Sequence, residues 1–148
     1  ERGFREEAEK DSRVKEIVTI NVASTTEEAR AAARELILTH PEINVIATFN
    51  EWTSLGVGWA IRDLEKKDEI YVAAFDSNAV SVGMLETGEV DALIVQNPYA
   101  MGYLGVEKAW EILTGRKGKE KQIDTDTTTV TRENMFLEEY QKILFLFD

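Results

Sequence analysis

Apolar and polar positions alternate along the chain in short runs, and the period switches repeatedly between that of a strand and that of a helix. Phe4–Lys10 reads as the tail of a helix and Ile17–Asn21 (IVTIN) as a short strand. Ser24, Thr25 and Thr26 are N-cap candidates, with Glu27 and Glu28 placed to favour the positive end of the helix that follows. That helix, Glu27–Thr39, is alanine-rich and must stop before Pro41. Val45–Phe49 (VIATF) predicts a second strand, and Thr53–Lys66 a helix with an apolar face of Leu55, Trp59, Ile61 and Leu64. Tyr71–Phe75 (YVAAF) is a third strand, and Val80–Thr87 a short helix closed by Gly88. Ala92–Val95 (ALIV) is a fourth strand, and Pro98 opens a helix that runs to about Thr114 and ends at Gly115. A basic loop, 116–121, leads to a last strand near Ile123–Thr131 and a terminal helix from Arg132 to about Phe145. Strands apolar on both faces, alternating with helices, predict an α/β fold: a doubly wound parallel sheet with helices on both faces.

Composition narrows the function. The 148 residues carry 17 Lys and Arg against 28 Asp and Glu, a net charge of −11, which argues against nucleic-acid and anionic-membrane partners. Cysteine is missing and His40 is the one histidine, so a structural zinc site is close to excluded. Apolar runs stop at four or five residues, far short of the roughly twenty that cross a bilayer. The sequence opens on Glu1 without an initiator methionine, and an apolar-periodic segment begins almost at once. It reads as a piece of something longer, so a missing signal peptide carries little weight.

In an open parallel sheet, ligands bind beyond the carboxyl ends of the strands. There VIATF is followed by Asn50, Glu51 and Trp52, YVAAF by Asp76, Ser77 and Asn78, and ALIV by Gln96 and Asn97. An amide, a carboxylate and an amide are thus delivered to one rim by Asn50, Asp76 and Gln96. A sugar hydroxyl both donates and accepts, so it suits a carboxylate that only accepts beside amides that do both. None of the three is cationic, so a phosphate or carboxylate has nothing to pair with. The competing explanation is that polar residues commonly end strands and start loops.

Other motifs carry less. Gly56-Val57-Gly58 has no third glycine at the dinucleotide spacing and falls inside a helix, where close packing is the simpler explanation. His40, next to Pro41, reads as a solvated helix end. Glu51 and Asp76 could pair for glycoside chemistry, but acids at strand ends are common. The loop 116–121 reads as a solvated turn, with docking to a protein partner as its alternative.

Three spaced blocks then stand out: Phe49-Asn50-Glu51 with Leu55-Gly56, next Phe75-Asp76, and last Gln96-Asn97-Pro98-Tyr99-Ala100-Met101-Gly102-Tyr103. Together they resemble the type I periplasmic sugar-binding proteins, the ribose-, galactose- and xylose-type solute receptors of ABC transporters. The tail Ile123-Asp124-Thr125 with Val130-Thr131-Arg132-Glu133-Asn134 is similar to the closing segment of that family. The resemblance implies one lobe of two: 1–97 and 125–148 form a C-terminal sugar-binding lobe, while 98–124 belong to an N-terminal lobe not in this chain. It implies no catalysis and no cofactor. Asn50, Asp76 and Gln96 would hydrogen-bond sugar hydroxyls, and Asn97, Pro98, Asp124 and Thr125 would lie in the hinge on which the lobes close. It also implies a transporter permease as partner and a periplasmic or extracellular location. Two positions depart from the pattern. A sugar-clamping arginine would fall just before Glu1, with Arg2 one step late, and a sugar-stacking aromatic aligns with Ser24. Stacking then falls to Trp52 or to the other lobe. Without the strand that normally precedes the helix at Phe4, this chain is expected to self-associate or to keep a cleaved N-terminal half.

Two other readings stay open from sequence. The effector domain of a LacI-type repressor shares the fold and would need a DNA-binding segment upstream. A receiver-like domain would use Asp76 as phosphoacceptor, yet it wants an acidic cluster for Mg²⁺ and a lysine where this chain has Gln96-Asn97.

Overall fold

The computed structural model describes residues 1–23, 25–116 and 122–145. Ten elements follow one another: α1 (Arg2–Ala8), α2 (Thr26–Thr39), β1 (Val45–Ala47), α3 (Glu51–Asp63), β2 (Tyr71–Phe75), α4 (Ala79–Thr87), β3 (Ala92–Val95), α5 (Pro98–Leu113), β4 (Thr128–Thr131) and α6 (Glu138–Leu144). The helix starts are chemical. The Thr25 hydroxyl accepts from the Glu28 amide at 3.3 Å, Asn50 caps α3, and Asn78 with Ser81 forms a reciprocal capping box on α4. Gly88 closes α4 at φ 91°, a left-handed turn that glycine takes without strain.

The four strands lie side by side in the order β1-β2-β3-β4. β1, β2 and β3 run parallel, so their carboxyl ends share one rim. β4 runs antiparallel to β3, with Val95 opposite Thr128 and Ala92 opposite Thr131. The α/β fold is therefore built on a mixed sheet, and the last strand departs from the all-parallel expectation. Val72, Ala74, Leu93 and Val130 turn one face toward Ile37, Val57, Ile61, Met84 and Leu85 of α2, α3 and α4, forming the core. Met135 and Leu144 join it from the C-terminal segment. Behind β2, Phe75 meets Phe49, which meets Phe4 of α1 edge-on at 5.8 Å.

Three expected elements change. Ile17–Asn21 forms no strand: Val18 and Ile20 are exposed, and no ladder partner reaches them among the described residues. A strand-like composition cannot supply the neighbouring backbone it needs. The last strand shortens to Thr128–Thr131, leaving Ile123–Thr127 irregular. The terminal helix begins at Glu138 rather than Arg132, because Asn134 Oδ1 accepts from the Thr131 amide at 2.8 Å and turns the chain there first. Ser24 and 117–121, which hold one N-cap candidate and most of the basic loop, lie outside the described residues.

Candidate functional site at the carboxyl rim

Asn50, Asp76 and Gln96 all stand at the shared rim, each half-buried. Two of them touch. Gln96 Nε2 donates to Asp76 Oδ1 at 2.5 Å, across the β2–β3 boundary. Asp76 is held at φ 67°, in the left-handed region that Asp and Asn tolerate better than other side chains, while its amide donates to the Ile94 carbonyl at 3.0 Å. The pair presents an acceptor and an amide from neighbouring strands at one place.

Asn50 has a structural task as well. Its Oδ1 accepts from the amide and the hydroxyl of Thr53, each at 3.0 Å, which starts α3. Its amide nitrogen has no hydrogen-bond partner among the described residues. Trp52 stands in the first turn of α3, half exposed, with no ring partner among the described residues.

Two ties that sequence reasoning missed hold the rim together. Glu51 accepts from Asn78 Nδ2 at 2.6 Å, joining the loop after β1 to the one after β2, while Asn78 Oδ1 caps α4. Ser54, 1% exposed, sets its hydroxyl within 2.9 Å of both the amide and the carbonyl of Phe75, and 2.8 Å from the Asn50 carbonyl and Thr48 Oγ1. A small hydroxyl residue directly before the apolar run Leu55–Ala60 is the one sequence signal of this junction.

Of the residues expected at the hinge, Asn97 caps α5 by accepting from the Ala100 amide at 2.9 Å, and Pro98 follows at the first helical position. Asp124 is exposed and accepts from Gln122 Nε2 at 2.8 Å. Asp124 and Thr125 share with Phe75, Gln96, Met101 and Leu104 an open groove of about 870 Å³. A smaller hollow of about 250 Å³ is lined by Asp76, Ser77, Gln96, Pro98 and Met101. Gln96 lies on both, whereas Asn50 and Trp52 line neither. His40 ends α2 and meets Glu42 at 3.1 Å, as a solvated helix end does.

The periplasmic binding protein domain family matches residues 1–117. The chain belongs to that family. Within the periplasmic binding proteins, the ribose import binding protein of Bacillus subtilis (strain 168) is 32% identical over 82 residues, 55% of this chain and 26% of the relative. A carbohydrate transporter solute binding protein from Agrobacterium radiobacter, in complex with D-arabinose, superposes with a TM-score of 0.85. It is 28% identical and covers 96% of this chain and 48% of its own. An ABC transporter solute binding protein from Agrobacterium vitis with bound D-fucose gives 0.85 at 27% identity, over 96% of this chain and 49% of its own. The chain thus spans about half the length of these structures. These relatives are binding components of transporters, and the sequence resemblance to type I sugar receptors holds. None of the described helices is long and apolar enough to cross a membrane.

Proposed function

We propose that this chain forms the sugar-binding lobe of an extracytoplasmic ABC-transporter solute receptor, which captures a monosaccharide without catalysis and hands it to a permease. Asp76 and Gln96 take sugar hydroxyls as a pair, Asn50 contributes its amide nitrogen, and Trp52 covers an apolar sugar face. Residues 1–97 and 125–148 make the lobe. α5 and the loop to 124 pass to a second lobe through a hinge at Asn97, Pro98, Asp124 and Thr125, and closure buries the ligand between the two. The protein works in the periplasm or at the outer cell surface.

The observation that carries this reading is the Asp76–Gln96 contact of 2.5 Å at adjacent strand ends. It sets an anionic acceptor and an amide side by side at the rim where open parallel sheets bind ligands. The test is Asp76→Asn in the full-length protein, by calorimetry against D-ribose, D-arabinose and D-fucose. Asparagine keeps the left-handed backbone and removes the charge, so unfolding should shift little. Affinity should fall at least about tenfold. A variant that binds within threefold of the parent removes Asp76 from the site.

A further inference from the structure

We infer that Ser54 is a positioning residue for the Asp76 end of the site, an inference that rests on the sugar-binding reading of that rim. The ladder between β1 and β2 has its last backbone rung where the Thr48 amide donates to the Ala73 carbonyl at 3.0 Å. One step on, the Phe75 amide donates to the Ser54 hydroxyl at 2.9 Å instead of to a carbonyl of β1. The side chain of α3 therefore stands in for the next rung of the sheet. The same oxygen lies 2.9 Å from the Phe75 carbonyl and 2.8 Å from that of Asn50. A hydroxyl has one proton to give, so it serves one of these carbonyls at a time. The other contacts are accepted, from the Phe75 amide and from Thr48 Oγ1 at 2.8 Å.

Phe75 is thus held by Ser54 at its amide, and at its carbonyl when the hydroxyl proton turns there rather than to Asn50, directly before the residue that turns into the left-handed region at φ 67°. Asp76 cannot choose its own backbone direction there. On one side the chain is pinned by Ser54, and on the other the Asp76 amide is tied to Ile94. Because Ser54 also reaches the Asn50 carbonyl, one buried hydroxyl sets the spacing between the first and second strand ends. Ser54 is fully buried beneath the rim, so its route to the site runs through Phe75 and Asp76.

Two variants of the full-length protein separate this role from a purely structural one. Ser54→Ala deletes the hydroxyl. Ser54→Thr keeps it and adds a methyl group to a full site, so it costs stability by overpacking while leaving the bonds in place. Amide exchange by NMR reads the backbone directly: Ser54→Ala should speed exchange at Phe75 and Asp76 about tenfold, and Ser54→Thr should leave both near the parent. Calorimetry with D-ribose, D-arabinose and D-fucose should show about tenfold weaker binding for Ser54→Ala and a change within threefold for Ser54→Thr. Unchanged exchange at Phe75 and Asp76 in Ser54→Ala, or altered exchange with unaltered affinity, overturns the positioning role. A parent protein that binds none of the three sugars counts against the sugar-binding reading, while the exchange data still decide whether Ser54 holds the loop.

Discussion

Glu89 is the one carboxylate taken into the core among the described residues, 8% exposed at the turn after α4. Burial pushes its pKa up, but Arg62 Nε donates at 2.7 Å and the Thr87 hydroxyl donates as well, and together they hold the carboxyl below its ordinary range. Arg62 is itself laid over the Trp59 ring at 4.7 Å. A folded pKa below the unfolded one adds stability that is complete above the ordinary carboxylate range and disappears as pH falls through the folded value. Glu89→Gln should therefore cost about 1–2 kcal/mol at neutral pH, and the gap to the parent should close below about pH 4. Urea titrations at a series of pH values check this, and a gap that stays constant into acid would show that charge is not the cause. At this scale Asn50, Asp76 and Gln96 were legible in sequence because each follows an apolar strand run directly. Ser54 and the Glu51–Asn78 link were not. A serine one turn into a helix looks ordinary until the packing of α3 on β2 decides what it touches.

Among the elements, α2 and α3 pack most intimately, and Gly56 is the reason. A methyl group there would come 2.5 Å from Ala29 Cβ and 2.8 Å from both the Arg30 amide nitrogen and the Thr26 carbonyl, most of it unyielding backbone. Gly83 in α4 has nothing within 4 Å of the same point. Alanine in a helix interior gains up to about 1 kcal/mol over glycine, so Gly83→Ala should raise stability by about that much. Gly56→Ala should lower it by about 2–3 kcal/mol, because overpacking between two helix backbones outweighs propensity. Thermal unfolding of the two variants side by side decides it, and equal stability would mean that α2 can shift freely. The close-packing explanation for Gly56-Val57-Gly58 was available from sequence, as were α2, α3 and α4 to within two or three residues, because caps and an apolar period coincide. What failed was what depends on a partner. Ile17–Asn21 has a strand's composition and no neighbouring strand, and the antiparallel sense of β4 is set by a long excursion whose return direction leaves no local signature.

At the scale of the whole molecule, α5 stands apart: it has no buried residue, and Tyr99, Val106, Trp110 and Leu113 are 64–82% exposed. Such a face seeks cover, and the chain by itself should associate at micromolar concentration. The pairing of Val95 with Thr128 gives a second way to see this helix. The backbone leaves the sheet after Gln96 and comes back beside its point of departure at Thr127, so everything between is topologically the loop of one oversized β-hairpin. A detour of that kind is detachable. Replacing 97–126 by an Asn-Gly turn would connect β3 to β4 directly, with Gln96 opposite Thr127, in the register they already have. Loop closure would become easier by about 2 kcal/mol, and no residue of α5 would be missed from the core. Light scattering and urea unfolding of the shortened chain should show a monomer at least as stable as the parent chain, and an unfolded or aggregated product would mean that the excursion carries stabilising contacts of its own. If the shortened chain folds, the sheet with its packed helices and the excursion through α5 are separable modules, and the excursion is laid over a hairpin that is complete without it.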